Sequence, residues 1–353
     1  MNNATSPERP SKRVLTGDRP TGRLHLGHLV GSLRKRVELQ SQYDTILLIA
    51  DLHTLTTRPD RDALSELRNH VHAIVIDYLA AGIDLQRTSI ALQSAIPAVY
   101  ELNTLLENLV TVNRLARIPS LKEMARDAHL DPEAIPFGLL GYPVLQAADI
   151  LLARAQLVPV GKDNLAHIEV AREIARRFNT LYGTVFPEPE PLLSEVPSLV
   201  GIDGKGKMSK SAGNAIFLSD DAPTVARKVR SMFTDPKRIH ADVPGTVEAN
   251  PVFSYLDLFD DDREKVERLK ARYRAGTVGD GEVKEQLTRA LNRFLDPIRN
   301  RRGHWDSQPR LVDEILRSGT RRLQEIGAAT MRAVREAMGL DRVLPEDTPA
   351  SPS

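Results

Sequence analysis

Apolar and polar residues fall into two regimes along this chain. Up to about residue 218, short apolar runs alternate with longer segments whose apolar positions recur every three or four residues. Val14-Leu15-Thr16, Thr45-Ile46-Leu47-Leu48-Ile49-Ala50, Ser89-Ile90-Ala91-Leu92-Gln93 and Gln156-Leu157-Val158-Pro159-Val160-Gly161 read as buried strands, with Ala215-Ile216-Phe217-Leu218 as the last. Between them the spacing predicts helices over Leu26 to Gln40, Asp60 to Ala81 (ended by Gly82), Ala98 to Ile118, Tyr142 to Leu152 and Leu165 to Asn179. This alternation predicts a doubly wound parallel sheet, an α/β class whose ligands bind at the carboxyl ends of the strands. Asp51 and His53 follow the second run, so they either line that crevice or cap the next loop. Beyond Ser219 the strand signal stops, and all-α patterns follow over Asp220 to Met232, Pro251 to Phe259, Asp261 to Ala275, Gly281 to Asn300 and Pro309 to Met338. Pro119 to Pro136 reads as a polar, mobile flap and Pro187 to Pro197 as a proline-rich connector. Residues 1–12 and 341–353 read as flexible tails.

A length of 353 residues exceeds what one compact core usually holds, so two domains are expected, 13–218 and 219–340. The net charge is +1, so a polyanion would have to be held by local patches. Such patches exist in the helical half: Arg227-Lys228, Lys237-Arg238, Lys270, Arg272 and Arg274, then Arg299, Arg301 and Arg302. Solvated helix faces are the default explanation, and RNA phosphate contacts the alternative. The absence of cysteine excludes disulfides, thiol catalysis and cysteine-based zinc sites. No apolar run approaches the roughly 20 residues that span a bilayer, and Met1 to Pro10 lacks a secretory apolar stretch, so no membrane partner and a cytoplasmic location are expected.

The chemistry concentrates in two stretches. Gly17-Asp18-Arg19-Pro20-Thr21-Gly22-Arg23-Leu24-His25-Leu26-Gly27-His28 leads from a strand into a helix, which aims backbone N–H groups and a helix N-terminus at a phosphate. Gly17 and Gly22 permit backbone angles that larger residues resist, and Gly27 leaves room for a flat group. His25 and His28 share a helix face and would donate to developing negative charge. The second stretch is Lys207-Met208-Ser209-Lys210-Ser211, two lysines and two hydroxyls suited to a departing polyphosphate. Either stretch alone has a bland reading, a capped helix or a basic surface turn. A third feature is Asp149, a carboxylate inside the apolar run Tyr142 to Leu152. It needs a partner: a backbone N–H or Arg154, or a ligand donor such as an indole N–H, with Gln146 one turn earlier on that face. His167 reads as a satisfied interior or surface histidine, and Trp305 as core.

Together these motifs resemble the bacterial tryptophanyl branch of the class I aminoacyl-tRNA synthetases, from about Val14 to Leu340. Val158-Pro159-Val160-Gly161, Phe217 to Ala222 and Thr234-Asp235-Pro236 share the likeness, while Gln146, Asn164 and Leu15 depart from commoner residues of that family. The resemblance implies a Rossmann-like nucleotide-binding domain, a segment of about 100–160 inserted for dimerisation and the amino-acid pocket, and a helical anticodon-binding domain. It implies ATP with Mg²⁺, tryptophan, the tryptophan tRNA and a homodimer. His25, His28, Lys207, Lys210 and Ser209 would be catalytic. Gly17, Arg19, Thr21, Gly27 and Met208 would join the lysines and Ser209 around ATP. Tyr142, Gln146, Asp149, Asp163 and Asn164 would hold the amino acid. A tyrosyl-type enzyme, a small-molecule adenylyltransferase and a synthetase-like sensor or protein-binding paralogue stay open as alternatives.

Overall fold

The computed structural model describes residues 12–131, 134–161, 164–193, 199–235, 238, 240 and 242–342. Lys162, Asp163, Lys237 and nearly all of both tails therefore lie outside the described residues. Five strands form one parallel sheet: β1 (Arg13–Asp18), β2 (Asp44–Ile49), β3 (Thr88–Leu92), β4 (Leu157–Val160) and β5 (Glu190–Leu193). Their order is β3-β2-β1-β4-β5. The chain leaves β1 towards β2 and β3 on one side and returns to β4 and β5 on the other. The order therefore reverses beside β1, where a doubly wound sheet opens its ligand crevice.

Four strands lie where the apolar runs place them. The fifth does not. Ala215 to Leu218 stays out of the sheet and pairs with the signature turn: Leu26 N–H donates to the Ile216 carbonyl at 2.9 Å and Leu218 N–H to that of Leu24 at 3.0 Å. β5 instead comes from the stretch read as a connector, with Pro191 opposite Val158. An edge strand tolerates proline because no further neighbour asks for the missing N–H, and its two flanking prolines hide the strand pattern.

The helices follow the periodicity more closely. Arg61–Ala81 starts at Asp60, whose carboxylate accepts the Ala63 N–H, and stops at Gly82 in the left-handed conformation (φ 110°). Tyr142–Leu152 is one helix, and so is Leu165–Tyr182. The segment read as a flap contains a helix, Pro119–Asp127, anchored by buried Leu121 and Ala125. After the signature turn a short helix (Leu26–His28) widens into a π turn (Leu29–Leu33) before Arg34–Leu39. Such widened turns concentrate at functional sites.

The C-terminal helices are Ala222–Arg230, Pro251–Phe259, Arg263–Arg274, Asp280–Asp306 and Pro309–Met338. The last lies across the sheet edge at β3. A Cβ at Gly319 would sit 2.1 Å from the Ile90 carbonyl oxygen, so only glycine permits this approach. The Thr320 hydroxyl accepts the Leu92 N–H at 2.9 Å, satisfying a donor that an edge strand leaves open. Arg322 reaches Asp44 at 2.7 Å and Ser89 at 2.9 Å.

Several basic residues read as solvated or RNA-facing point inward instead. Arg301 donates to the Ala80 carbonyl at 2.6 Å, Arg302 to Asp77 at 2.8 Å and Arg299 to the Asp220 carbonyl at 2.8 Å. Arg238 is buried and paired with Asp280, and Lys228 is paired with Asp220. Helical spacing shows which residues share a face but not which face packs against the rest of the chain. Arg272 and Arg274 are half-exposed, on Glu282 and Glu248 respectively. Trp305 packs, partly buried, against the core. Among the described residues no helix is long and apolar enough to cross a membrane.

Candidate active site

A cavity opens at the carboxyl ends of β1 and β2, against helix Tyr142–Leu152. Its empty space is about 460 Å³ with the open solvent at its mouth included. Leu15, Leu48, Ile150 and Val158 form its apolar wall, and Gly17, Asp18, Arg19, His53, Tyr142, Gln146 and Asp149 its polar one. Asp149 is buried, and its partners are neither a backbone N–H nor Arg154. Gln93 Nε2 donates to both carboxylate oxygens at 2.9 and 2.8 Å, and His53 Nε2 lies 3.1 Å from one of them. Burial pushes the Asp149 carboxyl up, and His53 and Gln93 oppose that rise. A carboxylate offers about four acceptor positions. Gln93 and His53 do not exhaust that capacity, and Asp149 also lines the cavity, where a bound donor can reach it.

The supports of Asp149 are themselves held. Gln93 Oε1 accepts the Leu52 N–H at 3.1 Å, which fixes the amide with its NH₂ towards the acid. The His53 ring lies 4.2 Å from that of Tyr142. Both residues stand at strand ends, the signal by which sequence reasoning singles out His53 but passes over Gln93. Asp51 takes the other role and accepts the Ser94 N–H at 2.9 Å, so of the pair one caps a loop and one lines the crevice. His167 is interior and bonded: its Nδ1 lies 2.9 Å from Gln146 Oε1 and its Nε2 2.6 Å from the Ser120 hydroxyl. Asn164, exposed, opens the helix Leu165–Tyr182 and does not line this cavity.

The signature turn forms the adjoining wall. Gly22 has a φ of 103° that favours glycine, but Gly17 is an ordinary strand residue. Its reason for being glycine is the neighbouring strand: a Cβ there would sit 2.1 Å from the Leu48 carbonyl oxygen. Asp18 is saturated by Arg36 and by the Tyr78 hydroxyl at 2.6 Å. Burial alone would raise its carboxyl, but Arg36 and Tyr78 hold it well below the usual carboxylate range. Arg19 reaches the Thr57 hydroxyl at 3.3 Å.

The His25 and His28 rings lie tilted against each other with centroids 3.7 Å apart, and His28 Nδ1 accepts the His25 N–H at 3.2 Å. Burial, with the neighbouring positive charges, pushes His25 down to about 3 and His28 to about 4. Both are therefore neutral near neutral pH. His28 carries its proton on Nε2, the nitrogen left free to donate.

The lysine loop folds onto this turn. Lys210 Nζ donates to the Thr21 hydroxyl at 3.1 Å and to the Gly22 carbonyl at 3.0 Å. Burial pushes its ammonium down to about 8. Met208 is buried, and its sulfur accepts the Gly27 N–H at 3.4 Å. The space over Gly27 is thus filled rather than open: a Cβ there would meet the His25 ring at 2.9 Å and Met208 Cβ at 3.4 Å. Asn214 braces the loop by accepting the Ser209 N–H at 2.8 Å, and the hydroxyls of Ser209 and Ser211 lie 2.9 Å apart. Lys207 remains exposed.

Residues 8–296 match the family model for class I tRNA synthetases (W and Y). The chain is 61% identical over 328 residues to a tryptophan–tRNA ligase of Treponema pallidum, covering 93% of this chain and 97% of that one. It is 55% identical over 333 residues to the ligase of the same name from Chlamydia caviae, with 94% and 96% covered. Among solved structures, tryptophanyl-tRNA synthetase from Campylobacter jejuni, complexed with ADP and tryptophan, superposes with a TM-score of 0.83 at 33% identity. That match covers 93% of this chain and 99% of the other. A parallel sheet reversing beside β1, a glycine turn ending in paired histidines and a lysine loop closed on it are thus joined by these likenesses, and the chain belongs to the class I tRNA synthetases of the tryptophan and tyrosine type.

Proposed function

We infer that this chain activates tryptophan with ATP and transfers it to the tryptophan tRNA. A tryptophan carboxylate oxygen attacks the α-phosphorus of ATP, the bond to pyrophosphate breaks, and tryptophanyl-adenylate forms. A ribose hydroxyl at the tRNA 3′ end then attacks the adenylate carbonyl, and AMP leaves. The observation that carries the choice of amino acid is Asp149, held by His53 and Gln93 at the wall of a largely apolar cavity. An indole N–H is a single donor on an apolar body and fits there.

The remaining roles follow from position. His25 and His28, neutral, donate to the reacting phosphates, and Lys210 meets the charge that grows on pyrophosphate. Lys207 swings in from solvent to share that charge, and Ser209 is oriented through Asn214. Gly17, Arg19, Thr21, Gly27 and Met208 shape the nucleotide seat, so Met208 must yield the space over Gly27 when ATP enters. Tyr142 contacts the ammonium and Gln146 lines the ring. The family resemblance, not position, assigns Asp163 to the ribose or amine side, and exposed Asn164 does not line the cavity. Mg²⁺ would accompany ATP, and Asp18, the acid of the signature turn, would not hold it, being already taken by Arg36 and Tyr78. Tryptophan-dependent ATP–pyrophosphate exchange, followed by charging of a tryptophan tRNA, tests the reading. Exchange driven by tyrosine and not by tryptophan would sink it.

A homodimer is proposed from the inserted segment. Tyr100, Val112 and Phe137 are 47%, 60% and 67% exposed there, three large apolar side chains for a partner to cover. Sedimentation should give twice the chain mass, and Phe137→Glu with Val112→Glu should shift it to the monomer. A wild-type monomer at micromolar concentration would overturn the dimer.

A further inference from the structure

The helix Asp280–Asp306 lies outside the sheet domain, yet it touches the signature turn through one intermediary. Asp77 sits in an otherwise apolar stretch of helix Arg61–Ala81, Ile74-Val75-Ile76-Asp77-Tyr78, and is 0% exposed. Its two carboxylate oxygens have different partners. One accepts the Leu24 N–H at 2.7 Å, and the other accepts Arg302 Nε at 2.8 Å. Leu24 immediately precedes His25, and its carbonyl accepts from Leu218 at the exit of the lysine loop. The peptide ahead of the paired histidines is thus held on one side by a buried acid and on the other by the second signature. That acid is kept paired by an arginine more than 220 residues away in sequence.

We propose that Arg302 is a positioning residue for amino-acid activation, setting the place of His25 and His28 through Asp77 and the Leu24 N–H. The physical reason is the cost of an unpaired buried carboxylate. With Arg302 in place, Asp77 can stay ionised and accept strongly from the peptide. Without it, Asp77 either takes up a proton or turns to another donor, and the Leu24 N–H loses its charged acceptor. Its neighbour Arg301 gives an internal control. It donates from the same helix to the Ala80 carbonyl at 2.6 Å, joins the same two helices, and has no path to the turn.

The proposal rests on the tryptophan–ATP activation assigned above, and its test separates the two. Steady-state ATP–pyrophosphate exchange is measured per active site, the sites being counted by the burst of adenylate formed. Arg302→Ala should lower kcat on the order of 10-fold, less than the roughly 10²-fold of a full 1 Å misplacement, with the tryptophan KM little changed. Arg302→Lys should restore part of the loss, since an ammonium still pairs with the acid. Adding Asp77→Asn to Arg302→Ala should also restore kcat, because the amide oxygen accepts the Leu24 N–H with no buried charge left behind. Arg301→Ala should lower the thermal midpoint and leave kcat per site alone. Equal kcat in wild type and Arg302→Ala, or equal kcat losses in Arg301→Ala and Arg302→Ala, would overturn the positioning role. If Arg302→Ala does not fold, Asp77→Leu carries the comparison, because it removes the acceptor of the Leu24 N–H and the buried charge together, and wild-type kcat per site in it would be equally fatal. Wild type that fails to exchange with tryptophan would instead overturn the assigned activity.

Discussion

Lys210→Ala is expected to lower kcat for adenylate formation by on the order of 10²-fold, the usual cost of losing one preorganised electrostatic contact. Charge on the pyrophosphate grows as its bond to the α-phosphate breaks, so a cation placed for that moment contributes more to the transition state than to the ground state. Lys210 rests on Thr21 and the Gly22 carbonyl, within the turn that would cradle the phosphates. ATP affinity should change far less than kcat. A raised ATP KM with kcat intact would mean that Lys210 only binds.

The same lysine predicts a pH dependence. Burial pushes its ammonium down to about 8. A lysine is charged below its pKa, so the site has its cation below about pH 8 and loses it as pH rises through that value. The profile of kcat/KM for ATP reports the free enzyme and should fall on its alkaline side near there. The kcat profile should hold to higher pH, because bound polyphosphate favours the charged form. Lys210→Arg should move the alkaline fall of kcat/KM upward, whereas Lys210→Ala should abolish it. An unchanged fall in Lys210→Ala would assign that ionisation to another group.

Periodicity exposes four of the five strands and most of the helices, because buried runs and helical faces repeat at fixed spacing. β5 escapes because Pro191 and its flanking prolines break the pattern that an edge strand can tolerate. The shape of the signature turn is readable because its elements are local: glycine, histidine and helix start lie within a dozen residues. Asp149 is readable as a problem, a carboxylate in an apolar helix, but its solution is not. His53 and Gln93 come from the ends of β2 and β3, and only the order of strands brings them to it. Asp77 poses the same problem in the same kind of sequence. Its partner Arg302 sits among arginines that local pattern reads as solvated. A buried acid marks where a long-range partner must exist without saying which residue it is.

Asp149→Leu is expected to lower kcat/KM for tryptophan by on the order of 10²-fold, the worth of a hydrogen bond to a charged group, about 1.5–3 kcal/mol. An apolar cavity alone holds an aromatic ring but gains little from the ring's single donor. A carboxylate with acceptor capacity left rewards that donor, and an analogue lacking it leaves the acid under-satisfied. The comparison substrate is therefore a benzothiophene analogue of tryptophan, of nearly the same shape and without the N–H. The Leu variant should narrow the ratio of kcat/KM between the two substrates while retaining ATP binding. Asp149→Asn is the instructive second variant, because the contacts make it less conservative than its shape suggests. Gln93 Nε2 donates to both oxygens and His53 Nε2 faces one, so an asparagine NH₂ would meet a donor in either orientation. The Gln93 amide cannot turn to relieve this without releasing the Leu52 N–H. His53 can shift its proton to Nδ1 and accept from the amide at Nε2, which leaves the Asn oxygen to Gln93 and the ligand. Asp149→Asn should thus keep more discrimination than Asp149→Leu, and His53→Phe added to Asp149→Asn should remove that advantage. If the ratio of tryptophan to analogue were the same in wild type and Asp149→Leu, Asp149 would be a structural acid serving His53 and Gln93, and another group would have to recognise the indole.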